Sequence, residues 1–346
     1  MDLKQLINTV FQQGGSELHL KVGSQPLMRK NKNLKQLQMP AVQNDDMIKI
    51  VKTMLLQDEA KKFVDQSSFE KNVIGELPCN YRLNLFRSQG QILGIVHIIR
   101  QAMPSFSEIS FPQVFDSFTK ARQGLFIIAG PARSGVSTSL AAFVERINQT
   151  RSSHILLIED PIEFTFDPRL ARISQRQLKK DLQTVEQGIN FAKRSDVDVL
   201  VIGDVKREVP YKTILEYVNG GHFVVLSMQT LGIQNTLDKI IISQPESERE
   251  HICNMLARDL LGICSQALVF HAIEQKLMPI HETLIMNNTM KGIIQKARIN
   301  QLEANIMSGG EGSFLFEHNL NRLVRENKIP KESADGFINF YRGSRA

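Results

Sequence analysis

From about residue 115 onward, nearly unbroken apolar runs alternate with segments of helical periodicity. The order is GLFIIAG, STSLAAFVERIN, HILLIED, QTVEQGINFAKR, VDVLVIGD, YKTILEYV, HFVVLSM and LGIQNTLDKII. A strand with one wet face alternates apolar and polar residues, so a continuous apolar run implies cover on both faces. Intervening helices of about 10–15 residues supply that cover, and parallel strands need such crossovers in any case. The pattern predicts an α/β domain: a mainly parallel sheet with helices on both sides.

The first hundred residues have a different texture. MDLKQLINTVFQQ places Leu3, Leu6, Ile7 and Val10 on one helical face. SELHLKV alternates like a half-buried strand, and PLMRK and NLKQLQM read as short strands around a polar turn. DDMIKIVKTMLL is a helix opened by acidic residues, which suit the positive end of the helix dipole. SFEKNVI, YRLNLFR and QILGIVHIIR are three further strands, the last two joined around Gln89-Gly90. Residues 1–100 are therefore expected to be a small α+β domain. Residues 101–115, with Pro104, Pro112 and several serines, are expected to be a linker, and 116–346 the α/β domain. A chain of 346 residues is long enough for two such domains.

Composition narrows the functional classes. With 42% apolar and 23% charged residues, the chain is neither a disordered tail nor a disulfide-stapled miniprotein. No apolar run approaches the roughly 18 residues of a membrane span, and the N-terminus lacks the apolar block of a signal peptide. A cytoplasmic location is expected. Cys79, Cys253 and Cys264 are too few and too scattered for a disulfide framework or a zinc site. The net charge of +6 is diffuse; its densest stretch, Arg29–Lys35, falls at the predicted hairpin turn. With no Trp and only 4 Tyr to stack on bases, no nucleic-acid partner is expected.

The chemistry lies where GLFIIAG runs into Gly130-Pro131-Ala132-Arg133-Ser134-Gly135-Val136-Ser137-Thr138 and a helix begins at once. Strand, glycine loop and helix N-terminus in that order form a phosphate-binding nest, its backbone N–H groups converging on an anion. Gly130 and Gly135 have the spacing of G-x-x-x-x-G-K-[ST], and Ser137 stands where a hydroxyl ligates Mg2+. Position 136, however, is Val and not Lys. That lysine reaches the β- and γ-phosphates and offsets charge developing during phosphoryl transfer. Arg133, inside the loop, is the one nearby cationic substitute; the alternative is that its stem points outward.

Further motifs follow in order. His154–Phe164 (HILLIEDPIEF) resembles the acidic box of the type IV pilus retraction and type II secretion ATPases. ISQRQLKKD resembles that family's V-N-Q-R-E segment. DVDVLVIGDVKRE resembles its D-P-D-x-I-L-V-G-E-x-R-D motif, GHFVVLSMQT its G-H-L-V-x-x-T-L-H-T box, and GGSELHLKVGSQPLMRKNKNL its N-terminal G-A-S-D-L-H-L segment. The resemblance spans nearly the whole chain and is strongest toward the retraction motors. It implies a PAS-like N-terminal domain joined to a RecA-like P-loop ATPase domain with a helical C-terminal tail, to which residues 284–306 and 314–340 correspond by position. It also implies ATP and Mg2+ as cofactors, a hexameric ring, and an inner-membrane pilus platform protein as partner at the pilus base. By the same resemblance, Gly130, Ser134, Gly135, Val136, Ser137 and Thr138 would wrap phosphates, with Ser137 on Mg2+. Glu163 would activate water, supported by Glu159 and Asp160. Asp204, His222 and Gln229 would complete the catalytic set, Arg82 would reach toward nucleotide, and Arg176 would pack near the acidic box.

Several of these positions depart from the family pattern. The G-E glutamate is Asp204, one methylene shorter, and the following R-D is Lys206-Arg207. The histidine of the T-L-H-T box is Gln229, which cannot carry charge, and a loop position usually filled by Gly is Arg133. Together with Val136, these changes imply a member impaired in ATP hydrolysis. Such a chain would act as a ring or accessory subunit in a homo- or hetero-hexamer, beside an intact retraction ATPase. The alternative is an active hexameric retraction motor with a non-standard loop.

Overall fold

A computed structural model describes residues 1–31, 33–100, 103–203, 205, 209–307 and 312–343. The chain divides into two units, one comprising residues 1–102 with Glu163–Thr165 and the other Met103–Ile162 with Phe166–Ala346.

In the first unit, α1 (Leu3–Gln12) buries Leu3, Leu6, Ile7 and Val10, the face its periodicity marks out, and the Asp2 side chain caps it by accepting from Lys4 N. It packs with α2 (Asn44–Met54) on an antiparallel sheet. Among the described residues this sheet has six strands in the order β3-β2-β1-β6-β5-β4. They are β1 (Glu17–Lys21), β2 (Leu27–Lys30), β3 (Asn33–Gln36), β4 (Ser68–Val73), β5 (Cys79–Ser88) and β6 (Gln91–Arg100). The β5–β6 turn is Gln89-Gly90, both at positive φ (53° and 76°), the backbone that matches strand twist in two-residue hairpins. The apolar pattern does not anticipate α3 (Gln57–Gln66), because QDEAKKFVDQ buries only Phe63. Its start is held instead by Glu59, which accepts from Leu56 N at 2.8 Å and pairs with Lys71 at 2.7 Å.

In the second unit, the sheet order among the described residues is β13-β12-β7-β11-β10-β8-β9. The strands are β7 (Gly124–Ala129), β8 (His154–Glu159), β9 (Arg172–Gln177), β10 (Val199–Gly203), β11 (Phe223–Met228), β12 (Leu260–His271) and β13 (Lys276–Ile285). All pair in parallel except β13, which runs antiparallel to β12. The helices that follow these strands are α4 (Val136–Thr150), α5 (Val185–Arg194), α6 (Tyr211–Asn219), α7 (Ile233–Ile242) and α8 (Glu246–Asp259). On β7, Leu125, Ile127 and Ala129 enter one apolar cluster while Phe126 and Ile128 enter the one behind, so both faces are buried as the unbroken run requires.

Residues 103–115, the expected linker stretch, group with the second unit. Phe106, Phe111 and Phe115 pack with Phe126 and Phe143, ring centroids 4.8–6.2 Å apart. β13 runs to Ile285 and is followed by α9 (Asn288–Gln295) and α10 (Leu302–Met307). The C-terminal stretch forms α11 (Phe316–Arg325) and α12 (Lys331–Gly343), packed on β12 and β13 through Phe316, Leu320 and Tyr341.

Candidate phosphate-binding site

Parallel pairing brings the C-terminal ends of β7, β8, β10 and β11 to one edge of the sheet. Ala129 pairs with Met228, Ile202 with Leu226, and Gly203 with Glu159. The segments leaving that edge carry Gly130–Thr138, Glu159-Asp160 and Gln229-Thr230. This is the crevice where open α/β sheets bind ligands.

Gly130 leaves β7 with its N–H donated to Met228 O at 3.0 Å, and α4 begins six residues later with Gly135 as N-cap. Both glycines are sterically required. A Cβ on Gly130 would come within 2.4 Å of Ser134 Oγ and 2.5 Å of the Gln266 carbonyl oxygen. Gly135 sits at φ +86°, and a Cβ there would meet Gln266 Nε2 at 2.9 Å. Ser134 is buried, and its hydroxyl has no hydrogen-bond partner among the described residues. The N–H groups of Val136, Ser137 and Thr138, in the first turn of α4, have no acceptor within the helix. An orphan hydroxyl, a glycine cradle and the positive end of a 15-residue helix suit a phosphate group.

What the cradle lacks is charge at position 136. Val136 packs against the apolar cluster of Phe126, Leu140 and Phe143, and its Cγ2 would lie 2.8 Å from a Cβ on Gly130. Its side chain thus folds over the loop as packing. Arg133 is exposed at φ 65°, the left-handed region that glycine occupies without strain.

Beneath the loop lies a buried polar network that the motifs do not indicate. Gln266 on β12 donates from Nε2 to Ser134 O at 2.7 Å, and its Oε1 accepts from Ser139 Oγ at 2.6 Å. Opposite it on β13, His281 places Nε2 3.2 Å from the same Oε1. Burial pushes the His281 pKa down to about 3, so the ring is neutral at ordinary pH. One residue along, Glu282 accepts from Ile233 N at 2.9 Å, and Ser265 Oγ accepts from Gly232 N at 2.8 Å. The sequence signal for these residues is the pair of polar dipeptides, Ser265-Gln266 and His281-Glu282, that interrupt the apolar runs ICSQALVF and PIHETLI.

The remaining predicted residues fall in different places. Glu159 accepts from Gln175 Nε2 at 3.1 Å, and Lys179 Nζ lies 3.0 Å from Asp160, an ion pair off the hydrogen-bonding direction. Arg176 donates to Asp181 O at 2.7 Å and stacks over Phe191, as a packing residue does. Gln229 follows β11 at the loop's edge of the sheet. His222 does not: it precedes β11, and its carbonyl accepts from Gly124 N at the opposite end of β7. Its ring stacks on Tyr217 at 4.0 Å, with Nδ1 3.0 Å from the Tyr217 carbonyl. His222 therefore lies at the other end of the strand from the phosphate loop, six residues of extended chain or about 20 Å away. Asp204, Lys206 and Arg207 lie outside the described residues. Arg82 and Glu163 meet in the first unit, where Arg82 Nη2 donates to Glu163 Oε1.

The parallel sheet with a glycine loop at its C-terminal edge defines a P-loop ATPase fold. Residues 3–300 match the family described as Type II/IV secretion system protein, and the chain belongs to that family. It is 28% identical over 312 residues to a twitching motility protein of Neisseria gonorrhoeae, covering 89% of this chain and 83% of the relative. It is 26% identical over 337 residues to the type IV pilus retraction ATPase PilT of Pseudomonas aeruginosa, covering 96% and 97%. Among solved structures, the pilus retraction motor PilT with bound ADP superposes with a TM-score of 0.85 at 24% identity over 96% of each chain. The ATPase DotB of Legionella pneumophila superposes at 0.83 with 16% identity, covering 97% of this chain and 96% of the other. These superpositions bear on the fold, a RecA-like domain preceded by a small α+β domain. No helix among the described residues is long and apolar enough to cross a membrane.

Proposed function

We propose that this protein is a hydrolysis-impaired subunit of a type IV pilus or twitching-motility machine. It keeps the phosphate cradle of a retraction ATPase and uses it to occupy or regulate a hexameric ring. The observation that carries this reading is Val136 packed into the apolar cluster at the position of the phosphate-binding lysine. A hydrogen bond to a charged group contributes about 1.5–3 kcal/mol, so loss of the lysine lowers triphosphate affinity by roughly 10- to 150-fold for each contact it made. The loss falls hardest on the γ-phosphate, where charge develops.

In this reading, the loop N–H groups and Ser134 Oγ would hold the phosphates of ATP or ADP, and Ser137 Oγ would ligate Mg2+. Bound Mg2+ would neutralise phosphate charge. Glu163 is the candidate for orienting water, with Asp204 and Gln229 as weakened partners of that step. The cytoplasmic face of the inner membrane, beside the pilus platform protein, is the proposed place of action. Whole-length similarity to motility motors supports the setting. An active motor with a non-standard loop is the second reading, and the glycine cradle favours it.

Calorimetric titration with ADP and ATP tests the assignment. The proposal expects weak binding with little preference for ATP over ADP, and a gain of at least tenfold in ATP affinity in Val136→Lys. Tight, ATP-selective binding by the unaltered protein would overturn it in favour of the active motor.

A further inference from the structure

Ser134 and Gly135 share one peptide group, and that group's orientation is decided from the neighbouring strand. Ser134 O is an acceptor only, so the atom facing it at 2.7 Å must be the amide nitrogen of Gln266. That leaves Gln266 Oε1 to accept from Ser139 Oγ at 2.6 Å and from His281 Nε2 at 3.2 Å. Gln266 is 3% exposed, His281 2% and Ser139 2%, so water does not compete for these bonds. Asn319 on α11 fixes the strand behind, donating to His281 O at 3.1 Å, and the Phe111 ring stands edge-on to the imidazole at 6.0 Å.

In a trans peptide, C=O and N–H point in opposite directions. A Ser134 carbonyl drawn down onto Gln266 turns the Gly135 N–H away from β12, toward the open side of the loop. Ser139, one turn into α4, is tied to the same amide, which sets the helix N-terminus relative to that N–H. We propose that Gln266 is a positioning residue of the phosphate loop: it aims the Gly135 N–H into the cradle and keeps the loop formed without nucleotide. The glycine requirement agrees, because a Cβ at Gly130 or Gly135 would strike the Gln266 carbonyl or its amide. His281, neutral and opposite Gln266 in the ladder, gives the amide one orientation. The assignment rests on the loop being a phosphate site, but its geometry can be tested separately.

The experiment is hydrogen exchange across residues 131–138, with thermal melting and ADP titration, on the full chain carrying Gln266→Leu, Gln266→Glu or Ser139→Ala. Gln266→Leu is expected to speed loop exchange at least tenfold and weaken ADP binding about tenfold, while exchange in β10 and β11 stays unchanged. Gln266→Glu should behave like Leu at pH 8 and regain protection toward pH 5, because a protonated carboxyl again donates to Ser134 O. A merely structural glutamine would not show that recovery. Ser139→Ala, which spares the Ser134 bond, should raise loop exchange by a smaller factor and keeps the test decisive if Gln266→Leu does not fold. Loop protection unchanged in all three variants, or lost only in step with global unfolding, would overturn the assignment. If the unaltered protein binds no ADP, the nucleotide reading fails, and the exchange data still decide the role of Gln266.

Discussion

Arg82 and Glu163 are hydrogen-bonded to each other, although 81 residues separate them in the chain. Glu163 groups with the first unit, where Asn80 Nδ2 also donates to its backbone carbonyl at 3.4 Å. With side chains 13% and 20% exposed, the pair is partly shielded from water. Arg82 Nε also lies 3.8 Å from Glu70 Oε1, so removing Arg82 leaves the more unpaired charge, on Glu163. A double-mutant cycle with Arg82→Ala and Glu163→Gln, read by chemical denaturation, is expected to give a coupling energy of about 1–3 kcal/mol. A coupling near zero would mean that the pair is not formed in solution.

The acid side of the stability curve should carry the mark of His281. Its folded pKa, about 3, lies below the ordinary value of 6.5, so the unfolded chain binds the extra proton first. Stability from this group is complete above about pH 6.5 and declines by up to about 1.4 kcal/mol per unit as pH falls toward 3. Denaturation midpoints measured from pH 7 to 4 should fall less steeply in His281→Gln than in the unaltered protein. Parallel curves would place the ring in contact with solvent.

Glu282 is buried and accepts from both Ile233 N and the Tyr341 hydroxyl, at 2.9 and 2.8–2.9 Å. This joins α12 to the start of α7, three residues beyond Thr230. Tyr341→Phe leaves a buried carboxylate short of a donor and should lower stability by about 1–3 kcal/mol. Glu282→Gln in the same background should recover part of that loss, because a neutral amide is cheaper to leave under-bonded. Urea melts of the two variants check this, and equal stability of all forms would contradict it.

The parallel sheet was legible because burial on both faces writes itself as unbroken apolar runs, and β7, β8, β10 and β11 all follow that rule. The turn from β7 into α4 was legible because glycine spacing is a local requirement, and a Cβ at Gly130 or Gly135 would clash. Three things were hidden for physical reasons. α3 is held by a cap and an ion pair rather than an apolar stripe, so periodicity misses it. β9 is an edge strand with mostly half-exposed polar residues, which reads as loop. Gln266 reaches the loop, and His281 reaches Gln266, only because β12 lies between β7 and β13, long-range pairings that no local pattern encodes. His222 and Gln229 show the converse, since one motif holds both while a whole strand separates them in space.

Loop strain offers a further check. Arg133 holds a left-handed conformation at φ 65°, which costs a non-glycine residue about 1–2 kcal/mol, and Arg133→Gly relieves it at some cost in unfolded-chain entropy. The net change in melting free energy should be between 0 and about +1 kcal/mol. A loss above about 1 kcal/mol would show that the contacts of the arginine side chain outweigh the backbone strain.

We propose that Val136 deprives an otherwise formed phosphate loop of its catalytic charge. The most direct test is steady-state ATP hydrolysis by the purified full chain, beside Val136→Lys and Glu163→Gln. The expected result is no turnover above background in the unaltered protein and measurable turnover in Val136→Lys, alone or with Arg133→Gly. Robust hydrolysis by the unaltered protein, abolished by Glu163→Gln, would contradict the claim and identify a working motor.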